Sequence, residues 1–248
     1  MKKFAFTLFL ALSYLHANSI NIAVASNLSY AIENLVDIFE KEHPQTEVRV
    51  TLGSSGKLTT QIIHGAPYGL FMSADMNFPK KLYKKKLTLT KPKLYTQGAL
   101  VLFSIKNYNF SQGLSLLESD QVKRIAIANP KTAPYGKAAF EALQNAKLQR
   151  KLQRKFVYGE SISQTLTYSV SAADIGIIAK SALFTPQMRH YQEGKNWIDV
   201  DRTLYTPIKQ GIVLLKRSKN SPEYRAFYNF ILTEVAKEIF QKYGYIKE

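Results

Sequence analysis

An α/β fold, with mostly parallel sheets flanked by helices, is what this 248-residue chain predicts, and three observations carry the expectation. Short apolar runs alternate with segments whose apolar residues recur at helical spacing. Most runs end in a small or polar turn, usually leading into a helix. No fixed short repeat and no long low-complexity linker interrupts the pattern, so if two lobes exist the chain crosses between them through strands.

Residues 20–25 form the first apolar strand, and Leu28, Ala31, Ile32, Leu35, Val36 and Phe39 then recur at helical spacing until His43-Pro44 stops the helix. Residues 48–52 are the next strand. After Gly53-Ser54-Ser55-Gly56 a helix carries Leu58, Ile62 and Ile63, and residues 70–74 follow the Gly65-Ala66-Pro67 break as a third strand. Residues 99–104 and 124–128 continue the series. Asn129-Pro130 and Ala133-Pro134-Tyr135-Gly136 then open a helix with Ala139, Phe140 and Leu143 on one face. A helix over 162–170, a buried strand over 174–179 and a strand over 211–215 come next. One long amphipathic helix over 224–240 closes the chain, with Phe227, Tyr228, Ile231, Val235 and Ile239 facing inward. Gln97-Gly98-Ala99 and Lys209-Gln210-Gly211 set a glycine beside an apolar run, which marks them as places where the chain can cross between lobes.

Met1-Lys2-Lys3 is basic and residues 4–15 are apolar apart from Thr7 and Ser13, a run shorter than the ~20 residues that span a bilayer. Residues 1–17 therefore read as a cleaved secretory signal ending at Ala17, which sends a soluble mature chain to the periplasm. The chain contains no Cys, which excludes disulfides, thiolate metal sites and cysteine nucleophiles. Loss of Lys2 and Lys3 with the leader lowers the formal net charge of +16 by two, to +14. That balance suits nucleic acid, an acidic membrane surface or an anionic small ligand. The densest cluster, Lys80-Lys81 and Lys84-Lys85-Lys86, lacks a recognition-helix pattern or aromatic interleaving, so it reads as a solvated face and nucleic acid is not expected as a partner.

Four of the turns suit an anion: Ser26-Asn27, Gly53-Ser54-Ser55-Gly56, Ala133-Pro134-Tyr135-Gly136 and Ser161-Ile162-Ser163. A helix start presents backbone N–H groups without intrahelical partners and carries partial positive charge. Apart from Glu160 at one edge the turns hold no carboxylate, so their ligand is a small, fully ionised oxyanion. Each turn has a plainer reading as a helix cap. Catalytic patterns are poor matches. Gly56-Lys57 resembles a P-loop fragment, but Thr51 stands where the first Gly belongs and Leu58 follows the Lys. Ser54 to Lys57 fits Ser-x-x-Lys of penicillin-recognising enzymes, yet Lys131-Thr132 is followed by Ala133 rather than Gly. His43, His64 and His190 form no metal or triad motif.

In order along the chain, Ala25-Ser26-Asn27, Leu52 to Leu58, Gly65-Ala66-Pro67 with Leu70 to Asp75, Ala128-Asn129-Pro130 with Ala133 to Gly136, and Asp174 to Ala179 resemble the periplasmic molybdate-binding proteins of ABC importers, as does the Tyr243-Gly244-Tyr245 tail. The resemblance implies a two-lobed type II periplasmic-binding fold with the ligand in the cleft between lobes: residues 18–97 and 209–248 as lobe 1, residues 98–208 as lobe 2. It implies molybdate or tungstate as ligand, no cofactor and no cation ligands, a membrane permease as partner, and a monomer. Carried over by motif, Ser26, Asn27, Ser55 and, less directly, Ser54 are donors from lobe 1. Tyr135 and the backbone of Ile162 are donors from lobe 2. Many relatives place a tyrosine where this chain has Ala179 and a small residue where it has Tyr135. Two competing functions remain: a periplasmic serine hydrolase-like enzyme using Ser55 with Lys57, and a nucleic-acid or surface-binding module driven by the positive charge.

Overall fold

The computed structural model describes residues 18–246, so the leader expected over residues 1–17 lies outside the described residues. β1 (Asn18–Ala25) is followed by a 3-10 turn at Ser26–Leu28, α1 (Ala31–Glu42), β2 (Thr46–Gly53), α2 (Ser55–Ile63), β3 (Leu70–Met72), α3 (Asn77–Lys84), β4 (Lys93–Gly98) and β5 (Leu100–Phe103). The chain continues through β6 (Ile125–Ala128), α4 (Pro134–Asn145), α5 (Gln149–Leu152), β7 (Phe156–Gly159), α6 (Ile162–Ser171), β8 (Ile175–Ala179) and β9 (Trp197–Asp199). β10 (Ile208–Leu214), α7 (Pro222–Ile231) and α8 (Glu234–Lys242) complete it.

These strands form two five-stranded sheets, ordered β2-β1-β3-β10-β4 and β7-β6-β8-β5-β9. In the first sheet β1 pairs in parallel with β2 and β3, whereas β10 runs antiparallel to both β3 and β4. The second repeats the scheme, with β6 parallel to β7 and β8, and β5 antiparallel to β8 and β9. Parallel and antiparallel pairings are thus equal in number rather than mostly parallel. The parallel pairs come from strand-turn-helix units, whose crossovers restore strand direction. β10 returns from the second sheet without such a unit and enters reversed. Gly98 ends β4 just before β5 opens the second sheet, and Lys209-Gln210-Gly211 lies inside β10, where the register shifts between Gln210 and Gly211.

Strand alternation sorts the core. Along β1, Ile20, Ile22 and Val24 face α1, α7 and α8 through Leu35, Phe39, Phe227, Ile231 and Phe240, while Ala23 faces Leu58, Ile62 and Leu82 of α2 and α3. In the second sheet, Leu100, Leu102, Ile125, Ile127, Ile175 and Ile177 pack on Ala139, Ala142 and Leu143 of α4; Val101, Phe103 and Ile178 cluster with Leu166 of α6. Helices therefore cover both faces of both sheets.

The long terminal helix expected over 224–240 is two helices. α7 ends at Ile231, and Thr233, in extended backbone, caps α8 by accepting the Ala236 N–H on its hydroxyl at 3.3 Å. The same hydroxyl donates to the Phe230 carbonyl at 2.7 Å, tying off the end of α7. The break resets the helical phase, and Val235, expected inside, is exposed.

Candidate functional site

Each of the four donor turns becomes the first turn of a helix. Ser26 and Asn27 open the 3-10 turn directly after β1. Ser54 caps α2, its hydroxyl accepting the Lys57 N–H at 3.4 Å, and Ser55 is the first helical residue. Pro134 and Tyr135 begin α4, where proline costs nothing because its missing N–H would have no intrahelical partner. Ser161 caps α6 through the Gln164 N–H at 3.2 Å, which leaves Ile162 as that helix's first residue. The plain cap reading thus holds for Ser54 and Ser161, whose hydroxyls serve their own helices. Ser55 differs in its partner: its hydroxyl oxygen accepts the Ala74 N–H at 3.0 Å from just beyond β3, which fixes the side chain across elements and leaves its own proton for a ligand.

Ser26, Asn27, Ser54, Ser55, Tyr135 and Ile162 all line one small cleft between the two sheets, with Ala25, Gly53, Ala74, Ala133 and Pro134 filling the gaps. Every one of the six is at most 6% exposed. The cleft encloses about 180 Å³ of space, part of it open to solvent, so it suits one compact solute. Among the described residues, no charged side chain lines it.

Direct contacts draw the walls together. The Ser163 hydroxyl donates to the Ser26 carbonyl at 2.8 Å and the Ser181 hydroxyl to the Asn27 carbonyl at 3.2 Å. The Gly56 N–H donates to the Thr132 carbonyl at 2.9 Å. A Cβ on Gly56 would lie 2.9 Å from the Thr132 backbone, so this approach requires glycine. At the rim, Lys57 and Glu160 pair at 3.4 Å with both side chains more than half exposed, a contact worth little in energy.

Behind the cleft lies a buried polar network that the sequence did not reveal. Asn27 Nδ2 donates to Gln210 Oε1 at 2.9 Å and to the Tyr245 hydroxyl at 3.1 Å. Gln210 Nε2 donates to the Tyr135 hydroxyl at 3.2 Å, while its Oε1 also accepts from Tyr95 at 2.9 Å. Tyr245 donates to the Asn27 carbonyl at 2.7 Å. Burial raises the Tyr135 hydroxyl well above its ordinary pKa, with Tyr245 and Tyr205 adding to the rise, and the Gln210 hydrogen bond and the nearby Asn27 amide opposing it. Burial first raises Tyr95 and Tyr245 too, so all three phenols stay protonated donors at neutral pH. The available signal for Gln210 was a lone amide at the head of an apolar strand; nothing local announced Tyr95.

The hydrolase constellation does not form. Residues two apart on a helix point in different directions, and Ser55 is buried against Ala74 while Lys57 turns outward to Glu160. His43, His64 and His190 are exposed, and no group of three or more metal-ligating side chains occurs among the described residues.

Two mixed sheets with a small, uncharged, donor-lined cleft between them define a two-lobed solute-binding protein. The comparisons agree. The model of the bacterial extracellular solute-binding proteins matches residues 20–246, and the chain belongs to that family. It is 35% identical over 234 residues to the molybdate-binding protein of Rhodobacter capsulatus, covering 94% of this chain and 90% of that protein. With the molybdate-binding protein of Azotobacter vinelandii the identity is 34% over 237 residues, 92% of this chain and 90% of the relative. The solved periplasmic molybdate-binding protein of Azotobacter vinelandii superposes with a TM-score of 0.84 at 29% identity, covering 92% of this chain and 99% of the other.

Proposed function

We propose that this chain captures molybdate, and tungstate as its near-isosteric alternative, outside the cytoplasm and delivers it to the membrane permease of an ABC importer, with no catalytic step. One observation carries the choice of ligand: a compact cleft lined by hydroxyls, an amide and the first turns of four helices, without a charged side chain. A dianion that holds no proton at neutral pH needs donors only. A partly protonated phosphate would need an acceptor for its own hydrogen, which a carboxylate would supply. Hydrogen bonds to a charged group are worth about 1.5–3 kcal/mol each, so five or six suffice for tight capture in a dry, prearranged site. Similarity to relatives whose names state molybdate binding supports the same assignment.

The donors in this reading are the hydroxyls of Ser26 and Ser55, Asn27, Tyr135, and the Ile162 backbone N–H, with Ser54 contributing mainly by capping α2. Residues 18–97 with 209–248 form one lobe and 98–208 the other; the division is supported by the strands of each sheet falling within those ranges to one residue at Gly98 and Ile208. The protein acts as a monomer in the periplasm after loss of residues 1–17.

Competition calorimetry on the mature chain tests this reading. Molybdate and tungstate should bind at micromolar concentration or below, sulfate much more weakly because it is too small to reach all the donors, and phosphate least. Ser55→Ala should weaken molybdate binding by ten- to a hundredfold, the loss of one charge-assisted bond. Sulfate or phosphate binding as tightly as molybdate would sink the assignment.

A further inference from the structure

As arranged, the Asn27 amide cannot serve an anion. Both hydrogens of Nδ2 are spent, one on Gln210 and one on Tyr245, and its buried Oδ1 has no partner at all. Asn27 lines the cleft, and an acceptor left without a partner beside an oxyanion is repulsive to it. The heavy atoms nevertheless allow a second arrangement, because an amide can turn over and exchange its nitrogen and oxygen with little change of shape.

We propose that Gln210 is a positioning residue, and that anion binding turns the Asn27 and Gln210 amides over together; the inference rests on the oxyanion reading above. After the turn, the Gln210 amide nitrogen occupies the place of its oxygen. It donates across the same 2.9 Å separation to Asn27 Oδ1 and, across the other 2.9 Å separation, to the Tyr95 oxygen. Tyr95 moves its proton to the Ser73 carbonyl, already 3.1 Å away. The Gln210 oxygen now faces Tyr135 and accepts its hydroxyl proton, where formerly Nε2 donated to that oxygen. Tyr245 moves its proton from the Asn27 carbonyl to Asn27 Oδ1, which then lies 3.1 Å away, and the Asn27 carbonyl keeps the Ser181 hydroxyl at 3.2 Å. Asn27 Nδ2 takes the orphan's place, and the anion becomes its partner.

One consequence is specific to this network. Asn27 and Tyr135 cannot both donate to the anion through their side chains, because the direction of the Gln210 amide frees one and occupies the other. Gln210 is wholly buried and touches both, one from the first turn after β1 and the other from the first turn of α4. It therefore links the ligand contacts of the two sheets and decides that Asn27 is the side-chain donor while Tyr135 serves through its backbone.

Side-chain amide NMR on the ¹⁵N-labelled mature protein, titrated with sodium molybdate, tests the turn directly. The Asn27 NH₂ pair, assigned by its absence in Asn27→Asp, should shift and become protected from exchange at one equivalent, and the Gln210 pair should move with it. Calorimetry then reads the coupling. Asn27→Ala and Gln210→Met should each lose tenfold or more in molybdate affinity, the double variant should lose little beyond either single, and Tyr135→Phe should cost about threefold. Unmoved amide pairs in protein that binds molybdate, or a Tyr135→Phe loss exceeding that of both Asn27→Ala and Gln210→Met, would overturn the proposal while leaving the oxyanion reading intact. Wild-type protein that binds no molybdate would overturn both.

Discussion

Asp174 shows how one side chain can hold a framework without touching the ligand. Its carboxylate accepts the Lys123 and Arg124 N–H groups at 2.9 Å each and the Lys106 ammonium at 2.6 Å, while its backbone carbonyl takes the Ser104 hydroxyl at 2.6 Å. It thereby ties the loop before β6 to the start of β8. Burial works to raise its pKa but is outweighed by Lys106 and the two N–H groups, so the carboxyl sits below its ordinary value. The unfolded chain then binds the proton more readily than the folded one, and the stabilisation is complete above the ordinary carboxylate range and lost as pH falls through the depressed value. Asp174→Ala should destabilise the protein by about 2–3 kcal/mol at pH 7, since hydrogen bonds to a charged group and two N–H partners are lost. Urea melts at pH 7 and pH 3 check this. The gap between variant and wild type should narrow at the lower pH, and a gap independent of pH would mean that packing, not charge, is what Asp174 supplies.

At the scale of elements, the cleft depends on how closely α2 can approach the turn that begins α4. Gly56→Ala would push a methyl group into the Thr132 backbone and break the 2.9 Å bond from the Gly56 N–H. Overpacking of this kind costs about 1–3 kcal/mol, which corresponds to a roughly five- to 150-fold loss of molybdate affinity if it falls on the closed cleft. Calorimetry should show that loss with little change in the melting temperature of the ligand-free protein; the reverse result would make Gly56 a fold residue rather than a cleft residue. The element pattern was largely legible in the sequence because strand-turn-helix units write both periodicities locally. β1, β2, β6, β8 and α1, α2, α4, α6 fall where period and turn chemistry put them. The terminal helix was misread because Phe227, Ile231 and Ile239 keep an apolar face that runs through Thr233, and a capping threonine inside such a pattern has no distinctive spacing. The first-turn residues Ser26, Ser55 and Ile162 were legible for the same local reason. Gln210, Tyr95 and Tyr245 were not, because Gln210 and Tyr245 meet Asn27 from 183 and 218 residues away, Tyr95 reaches it only through Gln210, and only the pairing of β10 with β3 and β4 and the docking of the tail bring them together.

Over the whole molecule, the positive charge and the uncharged cleft divide the work of capture between them. The full sequence carries a formal net charge of +16, yet among the described residues no charged side chain lines the site. A dianion is therefore drawn by the long-range field of the surface and held by short-range hydrogen bonds. These two respond differently to salt: the Debye length is about 10 Å at 0.1 M and shorter above it, so the field is screened, whereas bonds made by buried groups are screened far less. Stopped-flow tyrosine fluorescence with molybdate, between about 50 and 300 mM sodium chloride, should show the association rate falling severalfold and the dissociation rate staying level. Charge-reversal of the exposed lysines on α3, Lys80→Glu with Lys84→Glu, should lower the association rate at low salt and leave dissociation unchanged, because neither residue reaches the cleft. A nucleic-acid module would behave otherwise, with affinity falling by powers of ten over the same range as each neutralised phosphate releases counterions. A dissociation rate that rises steeply with salt would place a charged contact on the ligand and contradict the donor-only cleft.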